Sequence, residues 1–300
     1  MAQGWQAVLA HGDTLLLDGG TGSELRRRGM PLDSAAWSAL APLTHYELLR
    51  SVHFDYIEAG ARVVTTNTFA TTRFVLEAAG HGGSFALVNE RAVAAAREAR
   101  ESSGCDVAIA GSISCLPPRF DVHAYPDEHI ESAGYRELAE TLAEAGVDLL
   151  LLEMLQETRH APLVCAAAQS VGLPIWLGVS CRLGAGGTLV GFDFPLVPLA
   201  ECLDTLLGFE PAAVCVMHTP AAATAPALEA IRGRWPGRLG AYPEIGNGAI
   251  GRHTVSPAQL AAQARGWMAS GAQIIGGCCG TTAAHIRALA GAVTPAARSD

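Results

Sequence analysis

Two adjacent cysteines, Cys278 and Cys279, lie between glycines near the end of the sequence, in the segment GGCCGT at 276–281. Neighbouring side chains of an extended strand point to opposite faces. Both thiols can therefore serve one site only where the backbone bends sharply, and glycine permits that bend at low steric cost. The pair is either a set of metal ligands or two small apolar side chains packed in a core.

A histidine offers a third ligand of the same chemical kind. His218 ends the apolar run CVMH that begins at Cys215. Two thiolates and one imidazole form a familiar Zn²⁺ ligand set, and three protein ligands leave the fourth position open to substrate. We therefore predict that His218, Cys278 and Cys279 are the metal ligands and the catalytic residues. Cys215 lies inside the run and is expected to pack in the wall of the fold.

Other polar residues suit a small zwitterionic ligand. Asp18 and Glu153 are carboxylates that can hold an ammonium group, and exposed backbone N–H groups can hold a carboxylate. These N–H donors are predicted at Gly19, Gly20, Thr66 and Asn67. The alternatives are that Asp18 bonds to the turn that follows it and that Glu153 pairs with Arg159.

Eight short apolar runs must position these residues. They begin at Thr14, Arg62, Val107, Asp148, Pro174, Ala212, Arg238 and Ala272. Most are continuous rather than alternating, as strands buried on both faces should be, and helix-period segments separate them. Eight strand–helix units predict an α/β fold of the (βα)8 TIM-barrel type. A doubly wound sheet is the alternative, but no GxGxxG fingerprint follows an early strand.

The runs turn polar or glycine-rich at their C-terminal ends. In a barrel these ends converge on one mouth, where the chemistry takes place. The predicted ligands and carboxylates therefore meet at one site. No linker, low-complexity tract or short repeat divides the chain, so we expect one domain over residues 1–300.

Composition limits the class of partner. The formal net charge is −9 and only 16% of residues are charged, which disfavours nucleic acid and anionic membranes as partners. We see no signal-peptide pattern and no run of about 18 apolar residues, and therefore expect neither secretion nor a membrane span. Eight cysteines in a chain of this size favour a reducing, cytoplasmic setting. We expect small-molecule substrates and a monomer or small homo-oligomer.

The motifs along the chain resemble those of the homocysteine S-methyltransferase family. The matching segments are LLLDGGTGSEL at 15–25, EAGARVVTTNTF at 58–69, AGSIS at 110–114, DLLLLE at 148–153 and GGCCGT at 276–281. The resemblance implies a barrel in which Cys278 and Cys279 bind zinc. It also implies that Asp18 and Glu153 orient the amine of homocysteine, whose thiol accepts a methyl group to give methionine.

Two segments depart from the family pattern. His218 stands where the family usually has the cysteine of a Gly-x-Asn-Cys motif, and Glu244 stands in place of an amide in a Pro-Asn-Ala/Ser-Gly segment. Neutral imidazole for thiolate removes one negative charge, and carboxylate for amide restores one. The hypothesis is a His218/Cys278/Cys279 site with Glu244 as fourth ligand of the empty enzyme or as a partner of the ligands. The segment at 115–132 also differs and is expected to line the donor pocket or to act as a lid.

Several alternatives remain for the reaction. We see no cobalamin-binding or folate-binding module after the last predicted helix and therefore do not expect methylcobalamin as donor. The short C-terminal segment leads us to expect a sulfonium donor, S-methylmethionine or S-adenosylmethionine. Betaine as donor, or a different thiol or selenol as acceptor, are the alternatives, as is a zinc-binding or thiol-binding barrel without turnover. A Schiff-base aldolase is excluded because the sequence contains no lysine.

Overall fold

The computed structural model describes residues 4–246 and 255–293. Its strands are β1 Leu15–Leu16, β2 Val63–Thr65, β3 Ala108–Ser114, β4 Leu149–Leu155, β5 Ile175–Val179, β6 Cys181–Leu183, β7 Leu189–Gly191, β8 Ala213–Pro220, β9 Arg238–Glu244 and β10 Ala272–Ile275. Eight of these strands form one parallel sheet in the order β1-β10-β9-β8-β5-β4-β3-β2. A parallel bridge between Leu17 and Val63 joins its two edges. The predicted (βα)8 barrel is confirmed.

The helices lie on the outside of this barrel. They are α1 Trp5–Ala10, α2 Thr21–Arg27, α3 Ala41–Thr44, α4 Tyr46–Glu58, α5 Arg73–Ala78, α6 Phe85–Ser103, α7 Glu128–Glu144, α8 Ala161–Gln169, α9 Leu199–Leu206, α10 Ala221–Arg232, α11 Pro257–Ala269 and α12 Ala283–Val293. Every residue of β3, β4 and β5 is buried, because the interior covers one face and the helices cover the other. None of the described helices combines the length and the apolar character needed to cross a membrane.

The apolar residues form two cores. The larger one lies between the helices and the strands, and the smaller one fills the barrel interior. In the interior, Trp176 of β5 is fully buried and Trp5 of α1 packs edge-on against it, with ring centroids 5.6 Å apart. Cys215 belongs to the same interior core, as its position inside the strand predicts. Side chains thus fill the barrel below the mouth.

The strands β6 and β7 form a separate antiparallel hairpin that pairs Cys181 with Gly191. It is inserted between β5 and α9, directly after the C-terminal end of a barrel strand. This hairpin was not predicted from the apolar runs. Its position brings it to the same end of the barrel as the predicted site.

Candidate active site

A cavity of about 690 Å³ opens at the C-terminal ends of the barrel strands. It is lined by every residue predicted for the site, namely Asp18, Gly19, Gly20, Thr66, Asn67, Glu153, His218, Glu244, Cys278 and Cys279. They come from the ends of β1, β2, β4, β8, β9 and β10. Convergence of parallel strands, rather than nearness in sequence, brings them together.

The three predicted metal ligands form one cluster. One ligand atom from each of His218, Cys278 and Cys279 lies within 4.8 Å of the others, and no second such group occurs in residues 4–246 and 255–293. Nδ1 of His218 is 3.7 Å from Sγ of Cys278. Zn–S and Zn–N bonds of about 2.3 and 2.0 Å in a tetrahedron separate the ligand atoms by roughly 3.5–3.8 Å. The 3.7 Å separation of Nδ1 and Sγ falls in this range, and the donor set suits a metal ion that prefers sulfur and nitrogen ligands.

The glycines of GGCCGT explain how adjacent thiols reach one point. A Cβ on Gly277 would lie 2.3 Å from the side chain of Thr281, and Gly280 has a left-handed φ of +86°. The Thr281 hydroxyl and backbone N–H both donate to the carbonyl of Cys278, which closes a tight turn. The backbone therefore bends directly after β10 and leaves Cys278 and Cys279 together at the cavity.

A bulge aims His218 into the cavity. The register of β8 against β9 shifts between Met217 and Pro220, and His218 has an unusual φ of +41°. The hydroxyl of Ser180 donates to the His218 carbonyl at 3.2 Å, and the ring of Phe192 packs against the imidazole with centroids 4.8 Å apart. Such strained positions recur where a fold re-aims a functional side chain.

The cluster shifts the proton affinities of its own members. The hydrogen bond from Cys278 holds the pKa of Cys279 well below its usual range, and His218 adds to this effect. The same hydrogen bond, with burial, raises the pKa of Cys278. Burial opposes the charge of His218, but Cys279, Glu244 and Asp193 raise the pKa of its imidazole. The cluster thus favours the negative charge on Cys279 over Cys278.

Glu244 lies at the end of β9 and lines the same cavity but is not one of the three clustered ligands. The residue is half-buried, and burial raises the pKa of its carboxyl group while His218 lowers it. The carboxylate is therefore electrostatically coupled to the imidazole. Its role as a fourth ligand stays a prediction.

Asp18 is buried at the end of β1. One carboxylate oxygen accepts from the Thr65 N–H at 2.7 Å and the other from the Thr65 hydroxyl at 2.9 Å. Burial nevertheless raises the pKa of Asp18 to about 8. Its side chain is bound to the neighbouring strand and not to the turn that follows it, so that alternative is wrong.

Glu153 lies in a second bulge, where the register of β4 against β5 shifts and the next residue, Met154, has a φ of +58°. Its side chain accepts a hydrogen bond from Ser112, and burial raises its pKa to about 7. Glu153 makes no ion pair with Arg159, which contradicts the alternative reading. Neither Asp18 nor Glu153 forms a salt bridge with a described residue, and two such buried carboxylates favour an incoming cation.

The predicted backbone donors divide into two kinds. The N–H of Gly20 donates to the Thr281 hydroxyl, and that of Thr66 donates to the Ala110 carbonyl, so the fold already uses both. The N–H groups of Gly19 and Asn67 make no hydrogen bond to the described residues. The expectation of four free donors is therefore corrected to two.

Aromatic side chains complete the cavity. Trp37 and Phe120 both line it and pack edge to face, with ring centroids 6.2 Å apart. Phe120 comes from the unusual segment after β3, and Leu116 and Val122 of that segment also line the cavity. The segment is thus a wall of the site. No motif marks Phe120, because its contact with Trp37 joins loops far apart in sequence.

Known proteins are similar to this chain in sequence and in fold. The family model described as homocysteine S-methyltransferase matches residues 15–293. The homocysteine S-methyltransferase of Escherichia coli K12 is 31% identical, over 95% of this chain and 96% of its own length, and homocysteine S-methyltransferase 3 of maize is 27% identical, over 94% and 90%.

Solved structures agree with the sequence comparison. The metallated form of the E. coli homocysteine methyltransferase MmuM superposes with a TM-score of 0.78 at 28% identity, covering 95% of this chain and 98% of that one. Its apo form gives a TM-score of 0.73 at 27% identity, covering 96% and 98%. The chain therefore belongs to the homocysteine S-methyltransferase family and is a thiol methyltransferase.

Proposed function

We propose that the protein transfers a methyl group from a sulfonium donor, S-methylmethionine or S-adenosylmethionine, to the thiol of homocysteine, giving methionine, at a zinc ion. The observation that carries the proposal is the His218, Cys278 and Cys279 cluster at the mouth of the barrel. It adjoins Asp18 and Glu153, two buried carboxylates that form no salt bridge with the described residues. A metal site and an ammonium site thus share one cavity.

Zinc is the proposed metal because thiolate and imidazole ligands suit it and three ligands leave a position for substrate. Bound zinc supplies Lewis acidity, which favours the thiolate form of an acceptor thiol near neutral pH. His218, Cys278 and Cys279 would hold the ion. Glu244 would serve as a fourth ligand of the empty enzyme or as a partner of His218.

The protein orients homocysteine by binding its ammonium group and its carboxylate group. The ammonium group of homocysteine lies against Asp18 and Glu153, and its positive charge favours the ionised form of both carboxylates. The carboxylate of homocysteine accepts from the free N–H groups of Gly19 and Asn67. The thiol is then directed along the cavity toward the cysteine pair.

Methyl transfer needs no covalent intermediate on the protein. The acceptor thiol gives up its proton to solvent, and a sulfur lone pair forms the new bond to the methyl carbon. The bond between that carbon and the donor sulfur breaks, and its electron pair neutralises the sulfonium. Holding both reactants in line can contribute about 7–11 kcal/mol in the best intramolecular cases.

The outer cavity supports an onium donor. Pockets of about 300–1,000 Å³ hold drug-sized ligands, so 690 Å³ accommodates an acceptor and a donor together. Trp37, Phe120 and Phe192 present aromatic rings to this space, which attract a positively charged methyl group. Two other aromatic residues are not available to the donor, because Trp176 lies in the interior core and Phe194 does not line the cavity.

A mass-spectrometric assay for methylated thiol tests the proposal. Homocysteine and a panel of other thiols and selenols are each paired with S-methylmethionine, S-adenosylmethionine and betaine, with and without a chelator. We expect methionine from at least one sulfonium donor, lost on metal removal and restored by zinc. Product from no pair, or product unchanged by rigorous chelation, would refute the proposal.

A further inference from the structure

The chain that leaves the β6–β7 hairpin lines the cavity at Phe192 and Asp193. Phe192 packs on His218 at an interplanar angle of 61°. A phenyl ring carries no hydrogen-bonding group, so this contact restricts the imidazole orientation and leaves both ring nitrogens available. With the ring so held, Nδ1 of His218 faces Sγ of Cys278.

Ser180 links the backbones of His218 and Phe192. Its hydroxyl donates to the carbonyl of His218 at 3.2 Å, and its own carbonyl accepts from the N–H of Phe192 at 3.3 Å. Ser180 is fully buried, at the end of β5. The position of Phe192 is therefore set relative to β8 and not only by the hairpin.

Two further hydrogen bonds hold Asp193, the residue that follows Phe192. The amide group of Gln156 donates to the Asp193 carboxylate at 3.0 Å and accepts from the Asp193 N–H at 2.8 Å. Gln156 is buried. A Cβ on Gly191 would lie only 2.2 Å from the backbone carbonyl oxygen of Gln156, so the two segments approach closely. The chain on both sides of Phe192 is therefore held against the loop after β4.

We propose that Phe192 is a positioning residue that orients the His218 imidazole toward the cysteine pair, with Ser180 and Gln156 holding Phe192 in place. The inference rests on the proposed function, in which His218 is a metal ligand. An imidazole binds through one lone pair in the ring plane, so its orientation matters. The bulge directs the His218 backbone, and Phe192 directs the ring.

Cobalt(II) binding tests this role without an activity measurement. Co²⁺ is added to metal-free protein, its visible absorption is recorded, and its affinity is measured against a competing chelator. We expect Phe192→Ala to bind Co²⁺ about tenfold more weakly, the lower end of the range for residues that orient metal ligands, with altered bands. Phe192→Leu should recover part of the loss. The matched control Phe194→Ala, a half-buried ring outside the cavity, should behave as wild type.

Two further variants separate the possible failures. His218→Ala must weaken Co²⁺ binding; if it does not, the metal-ligand assignment itself fails and the inference falls with it. If His218→Ala weakens binding while Phe192→Ala matches wild type in affinity and spectrum, only the positioning role is overturned. Should Phe192→Ala not fold, Gln156→Ala and Phe192→Leu carry the test, and wild-type binding by both overturns the role.

Discussion

The two ends of the barrel interior differ in their chemistry although the same strands build both. At the N-terminal end, Trp5 closes on Trp176 and the surrounding side chains are apolar. At the C-terminal end, the carboxyl groups of Asp18 and Glu153 are buried with raised pKa values, and His218 has a strained backbone. The apolar N-terminal end stabilises the fold. At the C-terminal end, buried carboxyl groups and a strained backbone lower that stability and form a binding site.

The difference between the two ends of the barrel interior is tested most directly at the apolar end. Trp176→Ala should lower the free energy of unfolding by about 3–5 kcal/mol, because it leaves a large cavity in a packed interior. Urea unfolding measures the loss. Methyl transfer per folded molecule should stay close to wild type, and a large drop in that specific activity would show that the two ends are coupled.

The next largest effect is expected in the ligand cluster. Cys279→Ser should reduce methyl transfer by more than about 100-fold, since loss of a metal ligand exceeds the effect of losing a residue that merely supports one. Metal content by elemental analysis should fall in parallel. Cys215→Ser, a buried thiol below the mouth, is the control and should retain its metal.

A third prediction concerns pH. Burial raises the pKa of Glu153 from 4.5 to about 7, so ionisation of its carboxyl group destabilises the folded state as pH rises through this range. In metal-free protein, the unfolding free energy of Glu153→Gln minus that of wild type should therefore increase between pH 5 and 8, by about 2–3 kcal/mol. A difference that is flat over this range would contradict the buried-acid assignment.

The smallest expected effect lies at the cavity wall. Phe120→Ala should raise the KM for the methyl donor about two- to fivefold, the loss of one aromatic contact of about 0.5–1 kcal/mol. The KM for homocysteine should not change. Initial-rate kinetics with each substrate varied in turn distinguish the two, and equal rises in both constants would argue for general disruption of the mouth.

The sequence was informative where one physical pattern dominates. All eight barrel strands were predicted, because burial on both faces leaves long apolar runs such as Leu149–Leu155. The cluster of His218, Cys278 and Cys279 was predicted from strand ends and ligand chemistry. The short helices α1, α3 and α5 were not predicted, because four to six residues show too little periodicity.

The rest of the site depends on tertiary contacts that no local pattern encodes. A bulge at Met154 or His218 places a non-glycine residue at positive φ, which sequence alone does not indicate. The Gly20 N–H donates to the Thr281 hydroxyl, 261 positions away in sequence. Because no local pattern shows this hydrogen bond, the number of free backbone donors was overestimated. The edge-on contact of Phe192 with His218 likewise requires the folded hairpin.

The left-handed backbone at Met154 and His218 bears on how this enzyme would respond to engineering for heat resistance. Glycine relieves such conformations, each of which carries strain of about 1–3 kcal/mol. A library screened only for survival at high temperature should therefore enrich glycine at both positions. At position 218 that exchange removes the imidazole. A thermostable variant selected without an activity assay would therefore retain the barrel fold and lose methyl transfer.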